Sequence, residues 1–144
     1  MTKAAEHSVF LIFATMSMPL FHPEILAAIE ARSLIGIKAG KQRPDFLDIW
    51  MVVVDGRLFA RSWGLKERSW YNSFLEESRG AIRVGDDVIE AVAYPIAADD
   101  PIQESISAAY LRKYDHGANS FYAQGITQPQ HVAKTMEFCP LDLP

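Results

Sequence analysis

Cysteine is nearly absent from this 144-residue sequence, in which Cys139 is the only one. A single cysteine excludes an intramolecular disulfide and a cysteine-rich zinc site. We expect Cys139 to be a buried or idle thiol rather than a nucleophile. Four histidines are scattered without the spacing of metal ligands, and we expect ordinary surface residues at these positions: His7, His22, His116 and His131. No metal site is therefore predicted.

Glycine-rich phosphate loops are also missing, since no run of glycines lies between a predicted strand and a helix start. No Gly-x-Ser-x-Gly elbow marks a serine nucleophile either. Asp86 and Asp87 are adjacent carboxylates, but at the tip of a predicted hairpin they serve the turn first. These absences argue against a self-contained hydrolase or a metal enzyme.

The sequence lacks a block of like charge, and its formal net charge is -4. A general nucleic-acid binder needs clustered positive charge to displace counterions, so no nucleic-acid partner is expected. Apolar residues make up 49% and charged residues 22% of the sequence, which is typical of a globular protein. Together with the single cysteine, this composition predicts a cytoplasmic protein.

Long hydrophobic runs are represented by one stretch, Val9 to Leu20, which is apolar apart from Thr15 and Ser17. It is too short to span a bilayer, and it lacks the basic opening and small-x-small cleavage site of a secretory signal. No membrane association is expected. We interpret residues 1–20 as an N-terminal extension or an extra strand or helix, with a signal peptide as the less favoured alternative, and residues 21–144 as one domain.

The strongest local signal is a hairpin centred on Asp55-Gly56, because a type I′ turn needs positive φ at both central residues. β-forming runs at 49–54 and 57–63 flank this pair. A two-residue loop fixes the predicted cross-strand pairs: Val54 with Arg57, Val52 with Phe59, Trp50 with Arg61, and Asp48 with Trp63.

The two faces of this hairpin differ in chemistry. One is small and aliphatic, as a barrel interior requires. The other presents three large aromatic residues beside charged ones: Trp50, Phe59, Trp63, Arg57, Arg61 and Asp48. So many aromatic side chains must be covered, and a packed helix, a dimer mate and a ligand are the candidates.

Other segments complete an α+β pattern. Helices are predicted from Pro23 to about Arg32, from Arg68 to Ser78 with Gly80 ending it, and after Asp100-Pro101, where Gln103 takes the capping-box position. Further strands are predicted at 34–39, at 81–85 and 88–95 with Arg83 opposite Glu90, and at 132–138. The segment 116–130 reads as mostly loop, with at most a turn of helix at Asn119 to Ala123. This order predicts a small antiparallel barrel with three to four short helices.

A candidate anion and ring site follows the first hairpin. Guanidinium groups and helix N–H groups grip phosphate or carboxylate oxygens, and indole rings stack on flat ligands. The residue types for both roles occur close together: Arg61, Ser62, Trp63, Lys66, Arg68, Trp70 and Tyr71. Lys113, on the late helix, is a further candidate cation, while Tyr110 and Tyr114 are expected to be packing residues. The alternative is an aromatic mini-core in which Arg61 stacks on Trp50.

These motifs also carry a resemblance to a known family. The string Trp50-x-Val52-Val53-x-Asp55-Gly56-x-x-Phe59-x-Arg61-Ser62-Trp63, followed by Trp70-Tyr71, Gly80 and Ala109-Tyr110-x-x-Lys113-Tyr114, resembles a bacterial family known as domain of unknown function 2255. The likeness covers roughly Pro23 to Phe138. That family is similar in turn to split β-barrels that bind flavin mononucleotide (FMN) or deazaflavin. The resemblance implies a split-barrel fold. It also implies that six residues border the phosphate and the ring: Arg61, Ser62, Lys66, Arg68, Trp70 and Tyr71.

Two functions are therefore open at this point. The first is an FMN- or deazaflavin-dependent oxidoreductase, in which the protein supplies the phosphate grip and the ring stacking, and Trp50 and Lys113 join the cofactor-binding residues. The second is a non-catalytic homodimeric module that binds a small ligand with a phosphate or carboxylate, with Trp50, Phe59 and Trp63 as interface residues. The sequence names neither a substrate nor catalytic residues.

Overall fold

The computed structural model describes residues 19–41 and 44–141, and in these residues seven strands form one antiparallel sheet with the order β2-β1-β5-β6-β7-β4-β3. The strands are β1 (Ile35–Ala39), β2 (Leu47–Ile49), β3 (Val52–Val54), β4 (Arg57–Arg61), β5 (Arg79–Val84), β6 (Asp87–Ile96) and β7 (Thr135–Pro140). The helices are α1 (Pro23–Glu30), α2 (Trp70–Glu76), α3 (Ile102–Tyr114), α4 (Ser120–Gly125) and α5 (Pro129–Val132), with a 3₁₀ turn at Gly117–Asn119. The N-terminal segment predicted as an extension, apart from its last two residues, lies outside the described residues, as does His7.

The predicted hairpin is confirmed at its turn. Asp55 has φ 53° and Gly56 has φ 76°, and Asp55 is the one non-glycine residue with positive φ in the described part of the chain. The pairs Val54 with Arg57 and Val52 with Phe59 form as predicted. An Asp-Gly pair supplies the backbone freedom that this turn needs, so the register follows from it.

The prediction of one continuous strand over 49–54 was wrong. Trp50 and Met51 interrupt it, so that β2 pairs with β1 at one end of the strand order and β3 pairs with β4 at the other. Two consecutive strands can occupy opposite edges only if the sheet curls strongly, because three residue steps span about 11 Å at most. The sheet is therefore a curled half-barrel, as expected for a split-barrel-like fold, and the predicted pairs Trp50 with Arg61 and Asp48 with Trp63 do not form.

The curled sheet has an inner face and an outer face, and each carries its own hydrophobic core. The inner face holds the aliphatic residues of the hairpin, and α1 and α2 add side chains such as Ile29 and Phe74. The outer face holds Val52, Val54 and Phe59, which pack against α3. α3 of the same chain therefore covers much of the face that was predicted to be aromatic.

Several local predictions need correction. Gly80 does not end α2 but lies within β5, where a Cβ would come within 2.1 Å of the Lys38 carbonyl oxygen. The second hairpin turns at Gly85-Asp86, and Arg83 pairs with Val88 rather than with Glu90. The turn falls there because Gly85 has a positive φ of 64°, which glycine adopts without strain.

The turn of helix predicted at Asn119 to Ala123 is present as α4, but the rest of the segment 116–130, predicted as loop, also holds the 3₁₀ turn and the start of α5. The helix after Asp100 begins at Ile102 with Pro101 at the N-cap, one residue later than the predicted N-cap Asp100. The Asp100 side chain still accepts a hydrogen bond from the Ile102 N–H (2.9 Å). No helix within residues 19–41 and 44–141 is long and apolar enough to cross a membrane.

Candidate functional site

A cleft of about 310 Å³ opens where the chain passes between the two edges of the sheet. Its lining is mostly aromatic and aliphatic, with one carboxylate and one guanidinium: Leu34, Leu47, Asp48, Ile49, Trp50, Arg61, Trp63, Gly64, Trp70, Tyr110, Tyr122 and Ile126. Concave apolar sites with a few polar groups are the usual form of small-molecule sites. The residues come from the position before β1, from β2 and the bend after it, from the end of β4 and the segment after it, from the start of α2, from α3 and from the region of α4.

The structure brings four of the predicted site residues together in this cleft: Trp50, Arg61, Trp63 and Trp70. The other five do not line it: Ser62, Lys66, Arg68, Tyr71 and Lys113. Trp50 and Arg61 therefore lie on the same side of the sheet although they do not pair. The aromatic part of the predicted site is assembled, whereas most of its predicted cations lie elsewhere.

Arg61 is the most heavily hydrogen-bonded of the four. It is buried, with 3% of its surface exposed. Its Nε donates to Thr135 Oγ1 (3.2 Å), its Nη1 donates to Ser107 Oγ (2.8 Å) and to the Ile126 carbonyl (3.2 Å), and its Nη2 donates to the Gln103 carbonyl (3.0 Å) and Oε1 (2.8 Å). A guanidinium has five N–H donors, so all of them are used by the protein.

This saturation changes the interpretation of Arg61 as a phosphate grip, because an incoming phosphate would have to displace a hydrogen bond that the fold already makes. The alternative, in which Arg61 stacks on Trp50, was wrong. The guanidinium carbon lies 5.7 Å from the Tyr110 ring centroid instead. Burial lowers the pKa of Arg61 from its usual value.

Gln103 holds the Arg61 network in place. Its Oε1 accepts from Arg61 and from Thr135 Oγ1 (3.1 Å), and its Nε2 donates to the carbonyls of Ala97 (3.1 Å) and Val132 (3.4 Å). Gln103 is therefore a buried bridge between β4, α3 and β7, and the capping-box role predicted for it was wrong.

Trp50 is held by α3, although it lies in the break between β2 and β3. Its indole ring stacks on Tyr114, with centroids 4.1 Å apart and an interplanar angle of 6°. The Tyr110 hydroxyl donates to the Trp50 carbonyl (3.4 Å) and accepts from the backbone N–H of Arg61 (2.8 Å). Burial raises the pKa of Tyr110 to about 12, so this hydroxyl stays protonated at neutral pH.

Met51 is the other residue of the break, and side chains of α3 form hydrogen bonds with its backbone N–H and carbonyl. The Tyr114 hydroxyl accepts from the Met51 N–H (3.1 Å), and Lys113 Nζ donates to the Met51 carbonyl (2.9 Å) and the Ile29 carbonyl (3.1 Å). Lys113 also lies 3.6 Å from Glu30. Lys113 therefore satisfies one backbone carbonyl of the bend and one of α1, and it does not line the cleft, contrary to the expectation that it joins the anion site.

Trp63 forms the exposed wall of the cleft, with 43% of its surface accessible. One face of its ring stacks on His131, with centroids 4.6 Å apart and an interplanar angle of 9°. His131 is buried, and its Nδ1 lies 3.0 Å from the Ser62 carbonyl. A Cβ on Gly125 would meet the Trp63 ring at 2.8 Å, so glycine permits this close approach. The expectation of a surface histidine at 131 was wrong.

The remaining candidate residues have local roles or solvent positions. Ser62 Oγ donates to the Gly64 carbonyl (2.6 Å), and Tyr71 packs in the inner core with Lys134 Nζ 5.2 Å from its ring centroid. Lys66 and Arg68 are exposed on the loop between β4 and α2. The seven-residue helix α2 is capped by its own Ser69, whose Oγ accepts from the Asn72 N–H (3.3 Å).

Sequence reasoning missed several residues that build the cleft and its supports: Leu34, Leu47, Gln103, Ser107, Tyr122, Ile126, His131 and Thr135. Most of them lie in α3, in the predicted loop after it or at the start of β7. Neither hydrophobic periodicity nor a motif distinguishes them. Gln103 is the exception, because it lies three residues before Ile106 and this spacing predicts that both lie on the buried side of α3.

The curled half-barrel and its cleft define an α+β protein with a split-barrel-like fold. The model of the family described as "Uncharacterized protein conserved in bacteria (DUF2255)" matches residues 26–138, so the chain belongs to that family. The resemblance found in the sequence is thus confirmed. No curated protein matches the chain.

One similar solved structure is the crystal structure of a conserved hypothetical protein from Mycobacterium tuberculosis. It is 12% identical, and the superposition has a TM-score of 0.51 and covers 84% of this chain and 79% of the other. At this identity the likeness shows the fold alone.

Proposed function

We propose that this protein binds a flat heteroaromatic ring of the flavin or deazaflavin class in the cleft and serves as an oxidoreductase through that cofactor. The observation that supports the proposal is the meeting of Trp50, Trp63 and Trp70 around one cleft. Indole rings give a planar ligand large contact area with defined geometry. The residues come from three separate segments, so the fold has to bring them together.

The size of the cleft fits the ring better than the whole cofactor. Its volume of about 310 Å³ lies at the lower end of ligand sites, which run from about 300 to 1,000 Å³. A phosphate-bearing tail would extend outside, towards the loop that continues from Gly64. Lys66 and Arg68 are exposed on this loop and are the cations that would meet the phosphate. Arg61 does not fit that role because its donors are occupied.

Such a cofactor supplies hydride transfer when it is bound. The part of this chain is then to hold the ring, orient it and exclude water. Trp50 is fixed by stacking on Tyr114, and Trp63 is fixed by stacking on His131. Ring walls that are themselves packed lose little conformational entropy when a ligand binds.

The test is a titration of the purified full-length protein with FMN, followed by flavin fluorescence and by tryptophan fluorescence. We expect saturable quenching of both signals. Trp63→Leu removes the exposed wall and should weaken binding about tenfold, since one aromatic contact contributes about 0.5–1.5 kcal/mol beyond its buried area. Tyr94→Leu is the matched control, because Tyr94 is 42% exposed and lies outside the cleft.

Unchanged fluorescence on addition of both FMN and a deazaflavin would refute the proposal. Equal weakening by Trp63→Leu and Tyr94→Leu would show that binding occurs elsewhere on the surface.

A second candidate function, a dimeric non-catalytic module, is favoured by an exposed apolar patch beside the cleft. It consists of Trp63, Phe121 and Tyr122, whose rings contact one another, and Phe121 is 73% exposed. Large exposed apolar patches mark interaction surfaces. Phe59, predicted as an interface residue, is fully buried under α3 and cannot serve. Light scattering that shows a dimer for the wild type and a monomer for Phe121→Ser would favour this candidate.

A further inference from the structure

Arg61 is buried without a carboxylate partner among the described residues. Its five hydrogen bonds end on hydroxyl, backbone carbonyl and amide oxygens, none of which carries a full charge. The ion pairs in the described part of the chain belong to other cations: Arg57 with Glu137, Arg83 with Asp48, and Lys113 with Glu30. The positive charge of Arg61 is thus solvated by dipoles but not neutralised.

An unneutralised buried charge is costly to retain, and its field is weakly screened because few waters surround it. Arg61 also lines the cleft. A ligand there would feel this charge through its field, since no N–H donor is left to bind it directly. The field falls off with distance, so it acts on the ring that fills the cleft more than on a tail outside it.

The carboxylate of the cleft is placed differently. Asp48 lies 3.5 Å from Arg83, and the two side chains are 51% and 41% exposed. Exposed charges are screened by water and salt, and their pairing is weak. The cleft therefore has a positive buried end at Arg61 and a screened negative charge where Asp48 meets solvent. This polarity favours a ligand whose negative charge points inward.

We infer that the cleft selects planar ring ligands that carry negative charge on the ring or on a group attached directly to it, such as an aromatic carboxylate. This inference rests on the proposed function of the cleft as a ring site, and it specifies the class of ring. A neutral ring of the same shape gains the aromatic contacts but not the field of Arg61.

The probes are 2-naphthoate and 2-naphthamide, which share a flat bicyclic ring and differ in charge. Calorimetric titration of the full-length protein at neutral pH should give about tenfold tighter binding of the carboxylate, the factor that corresponds to one modest charge interaction. The preference should persist in about 0.5 M salt, because the guanidinium is buried rather than exposed. Equal affinity for the two probes overturns the inference.

Two variants change the charges of the cleft separately. Arg61→Gln should bind the carboxylate no better than the amide. Because that variant also disturbs a buried network, Asp48→Asn supplies a second test at an exposed position. It should tighten carboxylate binding about threefold, since it removes a nearby negative charge that repels the carboxylate. Amide binding should be unchanged. A carboxylate preference that does not rise in Asp48→Asn contradicts the inference.

The outcomes also separate this inference from the proposed function. Binding of both probes with equal affinity leaves the ring site standing and removes charge selection. If FMN binds but neither naphthalene probe does, the inference of charge selection is refuted and the proposed function stands. If neither FMN, a deazaflavin nor either probe binds, both proposals fail together.

Discussion

The two faces of the curled sheet are built from the same seven strands but differ in what they bury. The inner face is filled by aliphatic and aromatic side chains from the sheet, α1 and α2. The outer face, under α3, buries an apolar cluster together with Arg61, Gln103, Thr135 and Glu137. Glu137 is paired there with Arg57 through two hydrogen bonds of 3.0 and 2.9 Å.

This difference indicates which face positions a site. An apolar core is stabilised mainly by packing and by removal of surface from water. A buried polar network costs free energy unless each member is satisfied, and it fixes the relative positions of the elements that it joins. The cleft lies at the edge of the polar face, so the hydrogen-bonded side chains that hold Arg61 and Trp50 also shape the cleft.

The largest expected effect comes from removing the polar centre of the outer face. Arg61→Met keeps a long apolar side chain but deletes five hydrogen-bond donors. We expect a loss of about 3–5 kcal/mol in the free energy of unfolding, because several buried acceptors lose their donor at once. Urea denaturation followed by circular dichroism measures this loss.

The matched control lies on the inner face. Met136→Leu changes the shape of a fully buried residue without changing polarity and should cost less than about 1.5 kcal/mol. If Arg61→Met lowers the free energy of unfolding no more than Met136→Leu does, the polar network of the outer face adds no stability beyond ordinary packing.

The inner face should instead be sensitive to added volume. A Cβ on Gly80 would lie 2.1 Å from the Lys38 carbonyl oxygen and 2.9 Å from Phe74 Cε1, and the first of these is backbone that cannot move aside. Gly80→Ala should therefore destabilise the protein by about 2–3 kcal/mol. Gly64→Ala is the control, since nothing lies within 4 Å of a Cβ there, and it should change stability by no more than about 0.5 kcal/mol.

Thermal or urea unfolding of both glycine variants checks this expectation. A neutral Gly80→Ala would show that β1 and β5 have room to separate, and the tight packing assigned to the inner face would be wrong.

The contrast between the two faces was partly predictable from the sequence. An Asp-Gly pair between two β-forming runs fixes the turn and the register, and the register sorts the aliphatic residues from the aromatic ones. The family resemblance added the split-barrel type. The break at Trp50 and Met51 was not predictable, because it follows from curling of the whole sheet and from the side chains of α3 that satisfy its backbone.

The site itself was predictable only in its aromatic residues. Trp50, Trp63 and Trp70 are conspicuous near strand ends and at a helix start. What Arg61 and Lys113 bind depends on long-range partners such as Thr135 and Ile29, and local patterns carry no information on such contacts. Residue type alone therefore suggested a phosphate grip where the structure shows buried structural hydrogen bonds.

The smallest expected effect concerns Cys139, which is buried on β7. Burial, together with the nearby Glu137 carboxylate, raises the pKa of this thiol to about 11 from its ordinary value of 9.0, against a smaller opposing effect of Arg57. The folded state therefore retains its proton at a pH at which the unfolded chain releases it. The stability that this group contributes is fully present below the unfolded value and is lost as the pH rises through the folded value.

Cys139→Ala removes this pH dependence and should cost about 1 kcal/mol at neutral pH. Between about pH 9 and pH 11 the wild type should lose stability faster than the variant, so the difference between their urea midpoints should shrink. Tyr110, whose pKa is raised to about 12, contributes equally to both proteins and cancels in the comparison. Parallel pH profiles of the two proteins would mean that the thiol is not confined to its neutral form, and the polar face would be more open to water than the buried Arg61 network implies.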